Sequence, residues 1–65
     1  MKKLTRLEIT RRKRGLMVKD LAQRIGVSPS LVSQIERGHR QAYPKLRRLV
    51  SEILDVDENY LFGRN

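Results

Sequence analysis

The sequence predicts an all-α fold: a compact bundle of five short helices in one domain. Three observations carry this. Apolar residues recur at helical spacing in separate clusters, with turn residues between them. Nowhere do four or more residues alternate apolar and polar with β-branched enrichment, so no strand is predicted. The chain has 65 residues, room for a single domain assigned here to 1–65.

The first helix is predicted over about 3–14, because Leu4, Leu7 and Arg11 share one face and Gly15 then offers a left-handed stop. Ile9 lies off that face. A second helix, about 18–25, follows from Leu21, Ala22 and Ile25, with Gly26 as its C-terminal stop. Ser28 caps a third helix, about 29–36, and Pro29 takes its first position, where a missing N–H costs nothing. Leu31, Val32 and Ile35 mark its apolar side, and Gly38 closes it. Residues 38–43 carry no stripe and read as a loop. Pro44 opens the fourth helix, whose face is Leu46, Leu49, Val50, Ile53 and Leu54. Asp55-Val56 breaks it. Asp57 then caps a short last helix from Glu58 to Phe62, ended by Gly63.

Composition excludes several classes. There is no Cys, so disulfides and thiolate metal sites are ruled out. The single His, His39, has no ligand cluster around it, and neither a metal nor a cofactor is expected. The longest uninterrupted aliphatic run, Leu16-Met17-Val18, is far short of the roughly 20 residues of a membrane span. Met1-Lys2-Lys3 starts like a secretory leader, but Arg6, Glu8 and Arg11 to Arg14 stand where its apolar region would be. A cytoplasmic location is therefore expected. No paired carboxylates or nucleophile–base set suggest an enzyme.

The charge is polarised along the chain. The formal net charge is +8. Residues 1–48 hold fourteen basic and three acidic side chains, whereas residues 49–65 hold one basic and four acidic. One end of such a chain attracts polyanions.

The most informative stretch runs from Leu16 to Gly38. Ala22 is small on the inner face of the second helix, so the third can cross closely. Gly26 permits the turn and Val27 fills the angle between the two helices. Val32 and Ile35 anchor the third helix to the body. Together these residues describe a helix-turn-helix.

The stretch resembles the Cro/repressor-type helix-turn-helix family of bacterial and phage transcription regulators. The shared residues are Gly15-Leu16, Leu21-Ala22, Ile25-Gly26-Val27-Ser28 and Ser33-Gln34-Ile35-Glu36-Arg37-Gly38. Leu54-Asp55-Val56 and Tyr60-Leu61-Phe62-Gly63 match the family's last two helices, so the resemblance covers essentially the whole chain. It implies a five-helix, lambda-repressor-like DNA-binding domain whose third helix enters the major groove of double-stranded DNA. It also places the second helix across the backbone, with its N-terminus facing a phosphate. By similarity the base-facing residues are Pro29, Ser30, Ser33 and Gln34. Gln34 suits a bidentate pair with adenine, the serines are adaptable, and Pro29 offers only van der Waals contact, for instance to a thymine methyl. The plain alternative for all four is solvated helix surface.

Phosphate contacts are expected from Arg14, Lys19, Arg37, His39 and Arg40, and from the backbone N–H of Val18. Lys13 is a further candidate. The family commonly joins the positions of Arg11 and Glu36 in a partly buried ion pair between the first and third helices. Two residues depart from the family pattern. Met17 and Val18 stand where a hydroxyl residue and Gln are usual, so neither side chain can cap by a hydroxyl or hydrogen-bond a phosphate.

The expected function is that of a sequence-specific repressor binding a two-fold operator as a homodimer. The less basic C-terminal end, with Tyr60, Leu61 and Phe62, is the candidate dimer surface, with core packing the preferred role for Leu61. The alternative is a helix-turn-helix module acting mainly through protein–protein interaction, as an antitoxin or adaptor does, with Tyr43 and the Tyr60–Phe62 edge as its surface.

Overall fold

The computed structural model describes residues 4–63. Five α-helices follow one another: α1 (Arg6–Lys13), α2 (Val18–Ile25), α3 (Pro29–Glu36), α4 (Pro44–Leu54) and α5 (Glu58–Phe62). No strand occurs among the described residues. The fold is all-α, with α2 packed on α3 and α4, and α5 packed on α4 and α1.

The first helix is shorter than the apolar spacing predicts. Thr5, in extended conformation, is its N-cap, and its Oγ1 accepts the Glu8 N–H at 3.2 Å. That hydroxyl satisfies one of the free donors at the helix start. Leu4 therefore lies before the helix and is exposed, not part of the inward face. Lys3, the predicted first residue, lies outside the described residues. Leu7, Thr10 and Arg11 are the buried residues of α1.

Met17 precedes α2 without a hydroxyl to offer. Three residues on, Asp20 compensates: its Oδ2 accepts the Met17 N–H at 3.0 Å. This is the carboxylate half of a capping box. At the other end Gly26 takes the left-handed conformation, φ +89°, that side chains with a Cβ rarely adopt. The N–H groups of Gly26 and Val27 both donate to the Ala22 carbonyl, at 2.8 and 3.0 Å, and turn the chain into α3. Ser28 Oγ accepts the Leu31 N–H at 3.2 Å and Pro29 is the first helical residue. These local bonds hold the helix-turn-helix together at the backbone.

The core has two connected parts. Leu7, Ile35, Leu46, Val50, Leu54 and Leu61 form one buried cluster. Leu21, Ala22 and Val32 form the other, where α2 meets α3. Ile25 and Val27 pack against both. The small Ala22 and the wedge Val27 thus sit where the two helices approach most closely. The fourth helix ends at Asp55, the one described residue other than glycine with positive φ (57°). Asp57 Oδ1 then accepts the Asn59 N–H at 2.9 Å and starts α5.

Candidate nucleic-acid interface

The sequence of α3 divides its surface. Val32, Ile35 and Glu36 are buried, anchoring the helix to the body. Pro29 and Ser30 are exposed at its N-terminal end, while Ser33 and Gln34 are half-buried one turn further on. Gln34 Nε2 donates to Ser30 Oγ at 3.4 Å, so these two polar side chains already lie together, four residues apart on one face. All of the base-reading candidates therefore come from two turns of one helix. None of the four carries a charge.

Cations surround this face. Lys13 and Arg14 are exposed at the end of α1, Lys19 in the first turn of α2, and Arg37, His39 and Arg40 after α3. Arg40 lines a cleft of about 300 Å³ together with Arg47 of α4, Gln41 and Phe62. Arg47 escaped the sequence reading because the fourth helix was read for its apolar stripe alone. Its Nε lies 3.9 Å from Glu58 Oε1, an exposed pair of little energetic weight. Val18 is placed differently from the others: its side chain packs against Leu21, Ala22 and Val32, which leaves only its backbone N–H for an anion.

Arg11 and Glu36 join α1 to α3. Arg11 Nε donates to Glu36 Oε2 at 2.5 Å and its Nη2 to Oε1 at 3.2 Å. Arg11 Nη1 also donates to the Leu16 carbonyl at 2.7 Å. One buried guanidinium therefore holds the end of α3 and the segment leading into α2. A planar fork suits this two-oxygen grip better than an ammonium would.

The C-terminal candidates separate. Leu61 is buried in the larger cluster and Phe62 packs against it. Tyr60 is exposed, but the Arg6 guanidinium lies 4.9 Å from its ring centroid and Arg6 Nη1 donates to the Tyr60 carbonyl at 3.3 Å. These contacts tie α1 to α5. Tyr43, at the start of α4, is also exposed.

No helix of the described residues is long and apolar enough to cross a membrane. No curated protein and no solved structure matches the chain significantly. A family model described as helix-turn-helix matches residues 7–61, which takes in every helix but the ends of α1 and α5. With two helices locked around Gly26 and a polar α3 face ringed by cations, the chain belongs to the Cro/repressor-type helix-turn-helix family of DNA-binding transcription regulators.

Proposed function

We propose that the chain, as one domain over 1–65, is a cytoplasmic repressor that reads a specific double-stranded DNA operator with α3. Pro29, Ser30, Ser33 and Gln34 meet base edges in the major groove. Arg14, Lys19, Arg37, His39, Arg40 and the Val18 N–H hold phosphates on either side. The observation that carries this reading is the division of the surface: an uncharged polar face on α3, bordered by exposed cations from α1, α2 and the loop after α3. An α-helix fits the major groove, and side chains near its N-terminus reach base edges there. Phosphate contacts set register and base contacts set preference.

Two copies act together. A helix of two turns reads only a few base pairs, and two half-sites a helical turn apart multiply the discrimination. The operator is accordingly a two-fold sequence and the active species a homodimer, with the exposed Tyr60 and Tyr43 available to the contact.

Selection of binding sites from random DNA tests this directly. The expected product is a palindromic sequence whose affinity falls steeply between about 50 and 200 mM salt. Gln34→Ala should relax preference at one position per half-site, at a cost of roughly 1–3 kcal/mol. Arg40→Ala should weaken all sequences alike and flatten the salt dependence. Recovery of no preferred sequence, with stable capture of a protein partner that Tyr43→Ala abolishes, would replace this reading with that of an interaction module.

A further inference from the structure

The base-reading face has an apolar corner. Leu16, Met17 and Val18 at the start of α2 and Pro29 at the start of α3 line one open groove of about 640 Å³. Met17 is 59% exposed, the most exposed of the large hydrophobic residues there. Arg12 and Lys19 line the same groove. Apolar and cationic groups thus share a single depression beside the polar part of α3.

That combination restricts what can fill it. Pro29 has neither an N–H nor a polar side-chain atom, and Val18 has no polar side-chain atom either. The Met17 thioether is at most a weak acceptor. A base edge rich in donors and acceptors placed here would lose its water without gaining hydrogen bonds, which is costly. Among the major-groove edges, only that of thymine carries an apolar group, the C5-methyl. The two cations suit the phosphates of the strand that bears it.

We infer that Pro29, with Val18 and Met17, selects thymine at one position of each half-site by burying its C5-methyl. The inference rests on the DNA-binding reading above. Preference at that position comes from methyl burial and not from hydrogen bonding, in contrast to the position read by Gln34.

The test uses the operator recovered from random DNA. Duplexes are made with deoxyuridine in place of thymidine, one position at a time, and binding is measured by fluorescence anisotropy at fixed salt. Uracil pairs as thymine does and lacks only the methyl group. Cytosines are left unmethylated, so thymine is the sole source of C5-methyl. One replacement per half-site should weaken binding about fourfold, the loss expected for one buried methyl. Met17→Ala and Pro29→Ala, each checked for helix content by circular dichroism, should shrink that factor toward unity. If every deoxyuridine duplex binds as tightly as the parent, the methyl inference is overturned while DNA binding stands. If selection returns no sequence at all, the DNA-binding reading fails and takes this inference with it.

Discussion

Replacing Arg11 by Met takes one charge out of the core and leaves its partner there. Arg11 is 7% exposed and Glu36 3%. Removing one member of a buried pair costs about 3–5 kcal/mol, because the other charge keeps its desolvation penalty and loses its compensation. A folded chain of this length holds roughly 3–10 kcal/mol in total, at about 0.05–0.15 kcal/mol per residue. Arg11→Met should therefore bring the domain close to unfolding. The double variant Arg11→Met/Glu36→Leu removes both charges and keeps an apolar filling. Its only new orphan is the Leu16 carbonyl, which loses the 2.7 Å bond from Nη1. That costs about 1 kcal/mol, so the double variant should be far more stable than the single one. Urea unfolding of wild type, both single variants and the double variant closes the cycle. The reasoning fails if the two single costs simply add, or if Arg11→Met melts like wild type. Either result would mean that water reaches Glu36 and that the pair is not dry.

Three smaller perturbations follow from the helix ends. Asp20→Ala should lower thermal stability by about 1 kcal/mol, since Met17 has no hydroxyl to take over the cap, whereas Asp20→Asn should keep most of it. Asp55→Gly should raise the urea midpoint by about 0.5–1 kcal/mol without changing the slope, because φ 57° favours glycine. Gly63→Ala should destabilise by about 1–3 kcal/mol in the same assay, as a Cβ there would collide with the Asn59 carbonyl and force the end of α5 to move.

What could be read from the sequence is what has a local cause. Gly26, Ser28 and Pro29 mark the turn because each residue type answers a backbone need at its own position. Leu46, Val50 and Leu54 are legible because their spacing repeats, and all three are buried. Leu4 misled because its spacing is also correct, and only the competing hydroxyl of Thr5 decides that the helix starts after it. Asp20 went unread as a cap because the hydroxyl that usually accompanies it is missing at Met17. The groove shared by Val18 and Pro29 was illegible for a different reason. No period links residues on two helices; only the turn at Gly26 brings them to one place. The same holds for Arg40 and Arg47 in their cleft. Of the candidate site, then, the face of α3 could be found by removing its inward residues, whereas the cations flanking it could be named but not placed.

The distribution of charge now gains a mechanical meaning. The outward face of α3 carries no charge from Pro29 to Gln34, in a chain with fifteen basic residues. The cations stand instead at the end of α1, at the start of α2 and in the loop from Arg37 to Arg40. On the proposed mode of binding this separates two jobs. The flanking cations neutralise phosphates and bind any sequence, with an affinity that salt erodes. A Lys or Arg at Ser30 or Ser33 would add to that general attraction and blur the difference between right and wrong sites. Without one, α3 contributes little unless its uncharged side chains fit the bases before them. The buried Arg11–Glu36 pair completes the arrangement, because it fixes α3 against α1 and so fixes the distance between the helix that discriminates and the cations that hold on.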